Sequence, residues 1–127
     1  KDFGSVLYLF IKDSLNGNSP VIFGDGTQTR DFVYVDDIIK IIMRSAEIEY
    51  TGIVNVGGET SVSFNYILKS IQRIIEKEVK PTYIQKDRNY VENLKADVGL
   101  MKKLFNVELT QIEDGIRKFL DYLRASS

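Results

Sequence analysis

The chain reads as an α/β unit in which a hairpin and short parallel strands pack with amphipathic helices. Short apolar runs bounded by turn residues recur at 21–23, 53–56 and 81–85. Between and after them lie stretches with apolar residues at helical spacing, the strongest carrying Phe64, Ile67, Leu68, Ile71, Ile74 and Ile75 on one face. The chain has 127 residues, 43% of them hydrophobic, enough for one domain with a real core, and no repeat, low-complexity tract or linker divides it.

Residues 5–15 (SVLYLFIKDSL) predict a helix apolar over most of its circumference, hence buried on several sides. After the turn Asn16-Gly17-Asn18, the run Val21-Ile22-Phe23 predicts a strand, Asp25-Gly26 a tight turn, and 30–35 the returning strand of a hairpin. Asp36 or Asp37 is then placed to cap a helix with Ile38, Ile39, Ile41, Ile42 and Ala46 on its apolar face. The glycine-bounded run 52–58 (GIVNVGG) suits a buried parallel strand. Ser61 or Ser63 opens the long helix, 81–85 predicts another strand, and 86–96 an irregular loop. Asp97 is placed to cap a short helix bearing Leu100, Met101 and Leu104. Thr110 and Glu113 have capping-box spacing ahead of a final helix with Ile112, Ile116, Phe119, Leu120 and Leu123.

Seventeen basic and eighteen acidic residues leave a formal charge of −1, which argues against a general nucleic-acid binder but leaves room for one focused cationic site. With neither cysteine nor histidine, disulfides and thiolate metal sites are excluded, and zinc sites and serine-histidine triads are disfavoured. No membrane partner and a cytoplasmic location are expected, since no run reaches membrane-spanning length, no signal-peptide pattern stands at the start, and cysteine is absent. Beginning at Lys1 and not at Met, the chain is expected to be a piece of something longer.

The segment 21–37, VIFGDGTQTRDFVYVDD, concentrates the chemistry. Arg30 follows the turn on a strand whose alternation would point Phe32 and Tyr34 one way and Val33 and Val35 the other. A guanidinium so fixed is suited to gripping two phosphate oxygens in parallel; its structural alternative is an ion pair with a carboxylate such as Asp31. Asp36 and Asp37 resemble an acid-base or metal pair, but their place before a helical stripe favours capping. Gly24-x-Gly26 lacks a third glycine and precedes a strand, so it reads as a turn and not as a dinucleotide fingerprint. Gly57-Gly58 allows close approach of the backbone to a ligand or, equally, a tight loop. Asn55, polar within an apolar run, must bond neighbouring backbone or reach a ligand. Tyr8 and Lys12 have Tyr-x-x-x-Lys spacing, yet they sit within a largely apolar helix.

In order and spacing, GDGTQTRDFVYVDDI, then IVNVGG, then a long serine-opened helix resemble the C-terminal part of the extended short-chain dehydrogenases. The likeness is to the NAD-dependent nucleotide-sugar epimerase and dehydratase family, particularly UDP-glucose 4-epimerase-like members, and runs from about Gly4 to the final helix. It implies that 1–127 is the substrate-binding C-terminal portion of an extended Rossmann-type epimerase, with 53–57 supplying a last strand of the Rossmann sheet. The NAD-binding half and the catalytic tyrosine and lysine would lie upstream of Lys1, making the Tyr8/Lys12 spacing a coincidence. NAD would serve the full-length parent, with no cofactor, metal or catalytic residue expected in this stretch.

By the same resemblance, Arg30 binds the nucleotide diphosphate, Phe23 lies against the base, the backbone near Val21 reads the base edge, and Asn55 faces the nucleotide. Arg88 is the best match to a second diphosphate-clamping arginine, although the loop KDRNY lacks the proline, glycine and second acid of the DRPGD-like pattern. The implied ligand is a UDP- or dTDP-sugar. The implied reaction moves hydride from the sugar C4 to the nicotinamide and back to the other face. A 4,6-dehydratase or heptose-epimerase parent, or a non-catalytic nucleotide-binding or scaffold module, is the alternative. An unpaired strand edge and an apolar helix face predict dimers or higher assemblies.

Overall fold

A computed structural model describes residues 5–126, which form five helices and five short strands. Helix α1 (Val6–Leu15) starts at Ser5, whose hydroxyl accepts the Tyr8 N–H at 3.4 Å. Strand β1 (Val21–Phe23) pairs in parallel with β4 (Thr82–Ile84), Ile22 opposite Tyr83. Strand β2 (Thr29–Asp31) is the middle of a second sheet, antiparallel to β3 (Ser61–Ser63) and parallel to β5 (Asn93–Leu94). Helix α3 (Phe64–Ile75) leaves β3 without a loop, and the Ser63 hydroxyl caps it by accepting the Tyr66 N–H at 3.1 Å.

The main core lies where α1, α3 and α5 (Ile112–Ala125) meet β1 and is built from Phe10, Ile11, Ile22, Phe64, Ile67, Ile71, Ile116 and Leu120. Phe10 meets Phe64 edge to face, with centroids 5.6 Å apart. Full burial of each such aliphatic side chain contributes about 1.5–3 kcal/mol, so the 3.6-residue stripes of the sequence are what hold these helices. A second cluster, Ile41, Val98, Met101 and Phe105, joins α2 (Val35–Ser45) to α4 (Gly99–Phe105). Arg44 from α2 donates to the carbonyls of Phe105 and Asn106, closing the end of α4.

Several local expectations are corrected by long-range partners. The predicted hairpin is absent, since β1 and β2 do not pair and belong to different sheets. The returning strand ends at Asp31, and Val35 already opens α2, so the alternation expected through 35 does not exist. The turn that was to join the hairpin is instead bound to α3. Asn65 donates its amide to the Asp25 carbonyl at 3.0 Å and its N–H to the Gly26 carbonyl at 3.0 Å. Gly26 is at φ +81°, and a Cβ there would lie 2.0 Å from the Asn65 side chain.

Ser63 caps α3 as expected, but the caps expected of Asp36 or Asp37, Asp97 and Thr110 do not form. Tyr34, not Asp36 or Asp37, stands at the N-cap of α2. Asp37 is 1% exposed and accepts both the N–H and the hydroxyl of Thr110, at 2.7 and 3.1 Å. That bond removes Thr110 from the predicted capping box, and Gln111 is the N-cap of α5. Glu113 instead accepts the hydroxyl of Tyr66, tying α5 to α3. Val98 is the N-cap of α4, although Asp97 still accepts the Gly99 N–H at 3.0 Å.

The run 53–56 joins no strand among the described residues, and Ile53 is 90% exposed. Within this chain it is not a buried strand, because neither sheet lends it an edge. Gly58 accounts for the close approach that its sequence allowed: a Cβ there would lie 2.4 Å from the Phe32 carbonyl oxygen.

Asp37→Ala should destabilise the chain by about 1–3 kcal/mol, since it leaves the half-buried Thr110 N–H without its partner; urea unfolding of both proteins measures this. A second expectation concerns pH. The hydroxyl of Tyr66 holds the Glu113 carboxyl below its ordinary 4.5, while the same bond raises the Tyr66 phenol above 10.0. The depressed carboxyl contributes stability above pH 4.5 that is lost as pH falls through its folded value. The raised phenol contributes below pH 10.0 and is lost as pH rises through its own. The difference in unfolding midpoint between the parent chain and Tyr66→Phe should therefore be present at pH 7 and shrink in acid. A difference unchanged down to pH 3 would show the bond to be irrelevant.

Candidate functional site

Around the loop between β1 and β2, the described residues place one arginine, two aromatic rings and a lysine close together. Arg30, in the middle of β2, donates through Nη1 to the carbonyls of Thr29 and Glu92, at 2.7 and 3.1 Å, and through Nη2 to the carbonyl of Val91 at 2.8 Å. Its guanidinium carbon lies 5.4 Å from the Phe64 centroid and 5.6 Å from that of Tyr90. Among the described residues no carboxylate pairs with it. Asp31, the expected ion-pair alternative, instead accepts the Ala96 N–H at 3.1 Å. A guanidinium has five N–H donors, so two remain for a ligand, and its charge is balanced only by carbonyl dipoles and ring faces.

Beside it opens a cavity of about 470 Å³ lined by Phe23, Gln85, Lys86, Asp87 and Tyr90. Phe23, 47% exposed at the end of β1, stacks with Tyr90 at a centroid distance of 6.4 Å and a 29° tilt. Lys86 lies along Gly24 and pairs with Glu92. Gln28, only 3% exposed, underpins the wall by donating its amide to the Phe23 carbonyl at 2.5 Å and to the Tyr90 hydroxyl at 3.4 Å. At the turn, the Thr27 hydroxyl and N–H donate to Asp25 and hold its carboxyl below the usual carboxylate range. That fixes the loop joining Phe23 to Arg30.

The sequence-predicted residues are thus only partly gathered. Phe23 lines the cavity; Arg30 stands behind Tyr90 and does not line it. Val21 is 44% exposed at the other end of β1. Arg88 is exposed in the turn between Asp87 and Tyr90; those two residues line the cavity, and Arg88 and Asn89 do not. Asn55 is exposed in the coil between α2 and β3, apart from this wall. Residue-level reasoning missed Tyr90, Lys86 and Gln28. For Tyr90 and Lys86 the available signal was the crowding of polar and aromatic types in the loop just after β4, opposite Phe23, whereas Gln28 lies in the loop between β1 and β2.

The glycine pair of this loop is not a dinucleotide-binding turn. Gly24 and Gly26 lead into β2 and not into a helix, and the space over Gly26 is filled by Asn65. The described residues also contain no group of three or more acidic side chains able to hold a metal ion. No described helix is long and apolar enough to cross a membrane.

Residues 2–57 match the model of the NAD dependent epimerase/dehydratase family. The chain is 35% identical over 118 residues to a UDP-glucuronate 4-epimerase of Thermodesulfobacterium geofontis, covering 91% of this chain and 36% of that protein. Its structure is similar to UDP-N-acetylglucosamine 4-epimerase from Methanobrevibacter ruminantium M1 in complex with UDP-N-acetylmuramic acid. That match has a TM-score of 0.90 and 29% identity, over all of this chain and 41% of the other. It is also similar to UDP-glucuronic acid 4-epimerase from Bacillus cereus in complex with UDP-glucuronic acid and NAD, with a TM-score of 0.85 and 28% identity over 96% and 40% of the two chains. The chain therefore has an α/β Rossmann-like fold with mixed parallel and antiparallel pairing, and it is related to NAD-dependent nucleotide-sugar epimerases and dehydratases. It spans well under half the length of these relatives.

Proposed function

From that kinship with NAD-dependent nucleotide-sugar epimerases and dehydratases, we propose that the chain is the nucleotide-sugar-binding, C-terminal part of a UDP-sugar epimerase-like enzyme. Its task is positional: it anchors the nucleotide diphosphate while NAD and the catalytic residues are carried upstream. Binding energy from such a remote, non-reacting part of the substrate holds the reacting carbon in place. The observation that carries this reading is Arg30, a half-buried guanidinium with no carboxylate partner among the described residues and two unassigned N–H donors, set behind an aromatic-lined cavity. Arg88, exposed in the adjoining turn, is the candidate second cation on the diphosphate. Asn55 and Val21 are exposed and do not line the cavity, so nothing in the geometry adds to the resemblance that brought them in. The run 53–56, exposed and unpaired here, is the natural edge for the upstream sheet to extend.

Calorimetry with UDP on the 127-residue chain tests the reading. Binding is expected, and Arg30→Ala should weaken it by about 10-fold or more, as loss of a charge-assisted hydrogen bond implies. No binding, or unchanged affinity in the variant, would reduce Arg30 to a fastener of the 90–92 loop. We also expect the isolated chain to self-associate through the exposed apolar residues Ile42, Met43 and Ile53, which are 61%, 68% and 90% exposed. Ile53→Asp should lower the mass read by light scattering; a parent chain that is monomeric at high concentration would refute this.

A further inference from the structure

Tyr90 occupies the junction between the groups assigned to the base and to the diphosphate. Its ring faces the Arg30 guanidinium at 5.6 Å and stacks with Phe23 at 6.4 Å. The buried Gln28 amide donates both to its hydroxyl, at 3.4 Å, and to the Phe23 backbone carbonyl, so one side chain ties the Tyr90 ring to the end of β1. Because Arg30 also grips the carbonyls of Val91 and Glu92, the backbone next to Tyr90 is fixed as well. The two rings border the same cavity, with the Lys86 side chain at its edge. A preset aromatic surface matches the face of a planar base, and the Arg30 guanidinium behind it, unlike the Glu92-paired Lys86, is a cation without a carboxylate partner among the described residues.

We propose that Tyr90 is a base-binding residue of this site: with Phe23 it forms the platform on which the base of a nucleoside diphosphate stacks. The proposal rests on the nucleotide-binding reading above and adds to it a residue that holds the base. It also gives a physical role to the departure of the loop KDRNY from the pattern it resembles, since an aromatic ring here supplies contact area that a glycine or carboxylate would not. Tyr90 touches the base and not the reacting carbon, so its effect falls on binding.

The test is a titration of the 127-residue chain with UDP, followed by proton NMR. In the complex, the uracil H5 and H6 resonances should move upfield, and Tyr90 ring protons should show nuclear Overhauser effects to them. Tyr90→Phe keeps the ring and should bind UDP within about 2-fold of the parent, since only a weak hydroxyl contact is lost. Tyr90→Leu should weaken UDP by roughly 5- to 150-fold, the range for one base–aromatic stack, and remove the upfield shift. UDP binding that Tyr90→Leu leaves untouched would overturn the platform while leaving the nucleotide reading intact. A saturated complex without contacts from Tyr90 to uracil would do the same, and it needs no variant to fold. Failure of the parent chain to bind UDP at all would overturn both.

Discussion

The Arg30 guanidinium, clasped between the Phe64 and Tyr90 rings and donating to the carbonyls of Thr29, Val91 and Glu92, fixes three parts of the molecule at once. Phe64 is the first residue of α3 and belongs to the main core, so the charge is seated directly on the hydrophobic centre. Val91 and Glu92 lead into β5, so the same group holds the short strand pair β2–β5 in register. A carboxylate at this spot would neutralise the charge. Carbonyls orient it and leave its field largely intact, which is the arrangement expected where a charge is kept for an incoming anion.

Around that clasp, two short sheets divide the labour. The pair β1–β4 carries the aromatic side of the cavity, through Phe23 at one strand end and Gln85-Lys86 just beyond the other. The sheet β3–β2–β5 carries the cation. The loop 24–28 passes from one to the other and is locked on α3 by Asn65 and on the cavity wall by Gln28. Neither sheet is large enough to be stable alone; both rest on the helices, whose apolar stripes form the core.

The helices were legible because their signal is periodic and local: Ile67, Leu68 and Ile71 are buried where the spacing placed them. Pairing partners were not. The Asp25-Gly26 turn is a strong hairpin signal, yet the partners that β1 and β2 take lie in β3, β4 and β5, and no local pattern announces them. Ser63 was legible as a cap, but those of α2 and α5 were not, since Asp37 and Glu113 are drawn to Thr110 and Tyr66 across 73 and 47 residues. Of the site, Phe23 and Arg30 were readable from their shared segment. The tyrosine between them, and the amide beneath both rings, only become visible once the chain has folded back on itself.

Phe23 and Arg30 are far from the 90–92 loop along the sequence; the Arg30–Val91 bond alone spans 61 residues. Parallel pairing such as β1–β4 also cannot form until the intervening chain has been laid down as a crossover. The wall built by Phe23, Arg30 and the 90–92 loop thus rests on long-range contacts, whose loop-closure cost must be met by the rest of the fold. Any small molecule that grips this surface engages only the finished native state, so it would act as a thermodynamic chaperone for the whole domain.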